Sequence, residues 1–152
     1  MKRFPHSVCL ALVVLALLGI SRPVLAEERP FQLQRGHISA SVYEDTFASV
    51  HVFGEITHLG LTRGGGDVLV LSPTGLDTFD VIGTIVFIAA NGDRLYASFV
   101  GSGFLDDFLR IAGLEGTLTF VGGTGRFADA SGSADLMFLS GVGSSIEGTI
   151  DY

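Results

Sequence analysis

His51 and Glu55 stand four residues apart in the stretch 49–57, and His58 follows it directly. An imidazole titrates near neutral pH, and a carboxylate against apolar surface can be held protonated. Glu55 and His58 are therefore the candidate acid–base pair for proton-transfer chemistry. The stretch reads as a strand, whose side chains alternate between two faces. His51, Phe53, Glu55 and Thr57 share one face; Val50, Val52, Gly54, Ile56 and His58 share the other. At the rise of an extended chain His51 and Glu55 lie about 13–14 Å apart, too far to bond each other. The Val/Ile face is the better interior. His51 and Glu55 are then solvent groups, and His58 falls near the mouth of whatever the strands enclose, as an acid, a base or a hydrogen-bonding turn residue.

Other patterns are weaker. His37, His51 and His58 lack metal-ligand spacing, so no metal is expected, and nothing calls for a cofactor. The glycine runs at 64–66 and 122–125 could be mistaken for phosphate cradles. Such cradles need a following helix and, in the P-loop case, a Lys. Neither run has them. Asp106 and Asp107 are adjacent carboxylates, which point apart in extended chain and read as a solvated loop. No G-x-S-x-G nucleophile motif is present. Arg126 could clamp a ligand carboxylate, or bond loop carbonyls or Asp129.

These residues need a scaffold. The chain has 152 residues, 16 acidic and 9 basic, with one Cys and 21 Gly. Lys2 and Arg3 precede an apolar run from Val8 to Ile20, and Val24-Leu25-Ala26 supplies small residues for signal-peptidase cleavage after Ala26. The run is short of the roughly 20 residues that span a bilayer, so residues 1–26 are expected to be a cleaved signal and the protein secreted or periplasmic. Residues 27–48 would hold the N-terminal segment and first strand, and 49–152 the rest of a single domain. Cleavage removes the Cys and three basic residues, leaving six Arg against sixteen carboxylates and a net charge near −10. Disulfides and thiol chemistry are then excluded. So is nucleic-acid binding, which needs clustered Lys and Arg.

Short Val/Ile/Phe/Leu/Thr runs between many glycines predict an all-β domain. Eight strands are expected at 37–43, 49–57, 61–71, 79–90, 94–102, 114–121, 132–139 and 145–152, with a type I′ hairpin at Asn91-Gly92. A short helix is expected at 106–111 or at 127–130. Gly83-Thr84-Ile85, Gly116-Thr117-Leu118 and Gly148-Thr149-Ile150 recur at near-constant spacing, as a two-strand meander unit would. Glycines within strands let a sheet curl, and closure removes exposed edges, so an eight-stranded antiparallel up-and-down barrel is favoured over a sandwich. Two-sided apolar strands at 79–90 and 136–139 call for a cover. A homo-oligomer or a flap from Arg29 to Gln34 would serve.

Gly122, Gly123, Thr124, Gly125, Arg126, Phe127 and, five residues on, Gly132 form a pattern that resembles the GGTGRF segment of the allene oxide cyclase/dirigent-like barrel superfamily. The stretch 54–60, the turn 89–93 and the closing 148–152 agree with small exported bacterial proteins of that type. The resemblance spans about residues 50–152. It implies an eight-stranded, often oligomeric barrel with an internal cavity. Phe87, Phe99, Phe120 and Arg126 are the candidate ligand contacts in such a cavity. No residue matches the catalytic residues of the plant enzymes, so no catalytic role is carried over. Three functions stay open: a module binding a small apolar or amphipathic molecule in the barrel, a structural or oligomerising barrel, and an isomerase or cyclase on a lipid-like substrate.

Overall fold

The computed structural model describes residues 27–44, 46–73, 77–108 and 110–152. The expected signal segment lies outside the described residues. The strands are β1 (Arg29–Glu44), β2 (Phe47–Ile56), β3 (Gly60–Pro73), β4 (Thr78–Ile88), β5 (Arg94–Leu105), β6 (Ile111–Gly123), β7 (Ser131–Leu139) and β8 (Gly143–Asp151). Each pairs antiparallel with the next, and β8 pairs with β1, so the sheet closes into an up-and-down barrel. Among the described residues, helix is limited to one 3₁₀ turn at Gly125–Phe127. The expected helix at 106–111 is not formed among the described residues; Asp106 organises a turn there instead.

Alternation sets the inside and outside. Ala48, Val50, Val52, Gly54 and Ile56 of β2 are buried, while His51, Phe53 and Glu55 face out. The same rule sends Ile85, Phe87, Phe99, Leu118 and Phe120 inward. Phe31, Phe87 and Phe120 meet there: the Phe31 ring centroid lies 4.6 Å from Phe120 and 5.8 Å from Phe87. The only buried polar side chain among the described residues is Thr62, whose hydroxyl donates to the Gly60 carbonyl at 2.9 Å. An eight-stranded barrel leaves room for one layer of side chains or one small ligand.

Glycines make that layer fit. Gly83, Gly116 and Gly148, the three members of the repeat, fall in β4, β6 and β8. A Cβ at Gly116 would stand 2.8 Å from Cε2 of Phe99, and one at Gly64 2.9 Å from Cδ1 of Phe87. The aromatic rings thus lie over positions that carry no side chain.

Residues 29–34 are not a flap. Arg29 to Gln32 pair with Ile150 to Glu147 of β8, which makes them the strand segment that closes the barrel. The expected hairpin joins β4 to β5, but its turn is not type I′, which needs positive φ at Asn91 as well as Gly92. The Gly92 N–H donates to the Ala89 carbonyl at 2.9 Å around Ala90 and Asn91; Asn91 does not take positive φ, and only Gly92 does, at 90°.

Candidate functional site

The GGTGRF segment closes one end of the barrel. Gly122 (φ 98°), Gly125 (φ 57°) and Gly132 (φ 119°) take left-handed backbone. Gly123 does not. It is glycine because a Cβ there would press on the Arg94 carbonyl and on Cβ of Phe127, 2.9 Å away. Phe127 is fully buried, with its ring 5.0 Å from Tyr152. Thr124 Oγ1 accepts from the Arg94 N–H at 2.9 Å, tying the loop to the start of β5. Arg126 pairs with Asp93 at 3.8 Å rather than with Asp129, and its guanidinium lies 4.7 Å from the Phe127 ring centroid. The motif thus holds the β4–β5 turn, the loop and the C-terminus together.

The two acid–base candidates lie apart from the interior. Glu55 is exposed on the outer face of β2. His58 occupies the β2–β3 turn at φ 65°, exposed, with its ring 6.3 Å from Tyr152. Its left-handed backbone turns the chain so that the next residue, Leu59, plugs the barrel end with 1 % exposure. Of the aromatic candidates, Phe87, Phe99 and Phe120 are buried in the interior, while Arg126 sits in the end loop, so these four do not form one site. Among the described residues, no three His, Cys, Asp or Glu side chains gather closely enough to hold a metal ion.

What the sequence alone did not disclose is a groove on the outer face of β4 to β7. Asp80 of β4 and Ser102 of β5 are Cα partners, Ser102 pairs with Glu115 of β6, and Glu115 with Met137 of β7. One step along, Ile82, Val100, Thr117 and Asp135 form the parallel row. These two rows and Leu71 line a cavity of about 750 Å³, open to solvent, whose floor includes the bare backbone of Gly101 and Gly116. An adjoining cavity of about 660 Å³ shares Asp80, Ser102, Glu115 and Met137 and continues to Phe104 and Leu139. The short side chain of outward-facing Ser102 leaves the strand backbone uncovered, and Ile82, Val100 and Met137 set the walls. Val100 remains 61 % exposed and Met137 52 %. Thr117 Oγ1 donates to Asp135 Oδ1 at 3.1 Å and steadies one carboxylate. A volume near 750 Å³ with apolar walls and a few polar groups is the size of small-molecule sites generally.

The β5–β6 loop borders this end of the barrel. Asp106 accepts from the N–H groups of Phe108 and Arg110, both at 2.9 Å, and binds the Arg110 guanidinium at 2.9 Å. The Arg110 backbone N–H is the main cause of a carboxyl pKa below its ordinary 3.8; burial opposes it, and the Arg110 side chain and the Phe108 N–H add to it. A depressed carboxyl pKa contributes loop stability above the unfolded value, and this is lost as pH falls through the folded one. A carbon-detected NMR titration of Asp106 should therefore have its midpoint below 3.8, and a midpoint at or above 3.8 would contradict the turn geometry.

The architecture is an isolated eight-stranded antiparallel barrel, and comparison adds no narrower identity: no protein-family model, no curated protein and no solved structure matches this chain.

Proposed function

We propose that this protein is an exported binding module for a small amphipathic molecule, with no catalytic step of its own. The apolar leader ending at Ala26 supports export to a secreted or periplasmic location. The order of the GGTGRF segment, the Asn91-Gly92 turn and the closing strand supports kinship in architecture with the allene oxide cyclase/dirigent-like barrels. A closed barrel could enclose a small molecule. Here, however, Phe31, Phe87, Phe99 and Phe120 occupy the interior, so the reading that fits best places the ligand outside, in the β4–β7 groove. The observation that carries this is the register that lays Ile82 and Val100 beside Asp80 and Glu115 around glycine backbone.

The test uses a neutral apolar dye, N-phenyl-1-naphthylamine. Val100→Lys should weaken its binding at least tenfold, about 1.4 kcal/mol, with the fold intact by circular dichroism. Equal affinity in the variant and the parent would move the ligand to the interior and overturn the groove assignment. A second copy of the chain is the competing occupant, favoured by the outward ridge Phe47, Leu69, Ile82 and Val100, which are Cα partners in sequence across β2 to β5. Sedimentation equilibrium separates the two: a stable dimer or trimer that Val100→Lys dissociates would make this surface a subunit interface.

A further inference from the structure

We propose that the molecule held in the outer groove is a cationic amphiphile: an apolar chain or ring lying along Ile82, Val100 and Met137, with an ammonium or guanidinium group between the carboxylates of Asp80, Glu115 and Asp135. This rests on the groove reading above and gives its ligand a chemical class.

The argument begins with how charge is divided along the barrel. The end that carries the β2–β3, β4–β5 and β6–β7 connections also carries Arg29, Arg35, Arg63, Arg94 and Arg126 in the adjacent half of each strand or in the loop. The opposite half holds a single Arg, Arg110, and Asp106 already pairs with it. Among the described residues the ion pairs are Arg110–Asp106 and Arg126–Asp93, so neither involves a groove carboxylate. Asp80 and Glu115 flank Ser102 across two strand spacings, about 9–10 Å between backbones. That spacing admits a charged group between them without either carboxylate giving up solvent. Glu115 and Asp135 lie on neighbouring strands, one register step apart.

The apolar part points the same way. Leu71, Ile82, Val100 and Met137 are each between 40 % and 61 % exposed, and all line the same cavity as the three carboxylates. An anionic amphiphile would set its headgroup against unpaired carboxylates, and like charges brought together cost affinity. A neutral one would supply no counter-charge but would not be repelled. A cation gains Coulomb attraction, which is modest at an exposed site and falls with salt. The groove therefore ranks ligands of equal tail by headgroup charge.

The experiment compares three eight-carbon probes below their micelle concentrations, by calorimetry on the full exported protein purified without detergent. The probes are octyltrimethylammonium, octyl glucoside and octanoate. We expect octyltrimethylammonium to bind at least tenfold more tightly than the other two in 20 mM salt, with the preference reduced to threefold or less in 500 mM salt. The variant carrying Asp80→Asn, Glu115→Gln and Asp135→Asn should bind octyltrimethylammonium and octyl glucoside alike. The salt series needs no variant, so the test survives if the triple variant fails to fold. Equal binding of all three probes to the parent protein would overturn the cationic class while leaving the groove reading intact. Binding of none would overturn both. A preference for octanoate, or one that salt does not reduce, would overturn the charge argument.

Discussion

Replacing Phe31 with Ala is expected to destabilise the protein by about 3–5 kcal/mol, the range for removing a buried Phe. For a chain of this size that corresponds to roughly a 10–20 °C fall in Tm. Phe31 is fully buried although it lies only two residues after the start of β1. Its ring contacts both Phe87 of β4 and Phe120 of β6, so it joins three strands that share no backbone hydrogen bonds with one another. Its Cα partner is Gly148, in the β1–β8 ladder that closes the barrel. Truncation would leave a cavity inside the aromatic layer and weaken the segment whose pairing removes the sheet's edges. The measurement is thermal unfolding followed by circular dichroism, with size-exclusion chromatography reporting strand exchange. A loss under about 0.5 kcal/mol, the range typical of a surface change, would mean that residues 29–34 only lie across a barrel closed by other contacts.

How much of this was legible beforehand depended on distance along the chain. Alternation within 47–56 fixes which face of β2 is buried, because inward and outward residues are neighbours in sequence. The hairpin at Asn91-Gly92 and the spacing of Gly83, Gly116 and Gly148 are local or periodic signals, and the eight strands are legible as short Val/Ile/Phe/Leu/Thr runs between glycines. The segment 29–34 does carry the alternation, with Phe31 and Leu33 between Pro30, Gln32 and Gln34, but two apolar residues beside a Pro and followed by Arg35 are too short a run to mark a strand by themselves. The partner of Arg126 is not among the alternatives that the local sequence offers. Asp129 is close in sequence, but the β4–β5 turn brings Asp93 to the loop from 33 residues away. The groove had no local signal at all. Asp80, Glu115 and Asp135 lie on three strands, and only the register of four strands puts them around one hollow. By contrast, the outward Ile88 and Met137, whose strands call for a cover, are exposed in the single chain.

The second large effect concerns the glycines whose backbone lies under that hollow and whose missing side chains would point inward. Gly101 and Gly116 are Cα partners on β5 and β6. A Cβ on Gly101 would collide with the Glu115 carbonyl and stand 2.9 Å from both the Gly116 Cα and Cζ of Phe99. The first two are backbone atoms of the adjoining strand and cannot step aside without breaking the ladder. The third is the far end of a ring packed at the barrel centre, where rotation would displace its neighbours. Gly101→Val should therefore cost about 3 kcal/mol or more, at the upper end for overpacking. Gly65→Ala is the control. It lies on the outer face of β3, where the nearest atom to a new Cβ would be Nδ1 of exposed His51 at 3.2 Å, the end of a side chain free to swing away. Alanine also has less backbone freedom to lose on folding than glycine, so this change should be neutral or stabilising by about 0.5–1 kcal/mol. Denaturant titration of the two variants gives the comparison. If both cost the same, glycine would be present for strand flexibility alone. A large cost at 101 with none at 65 would show that glycine is required where a Phe ring and a neighbouring strand already fill the space.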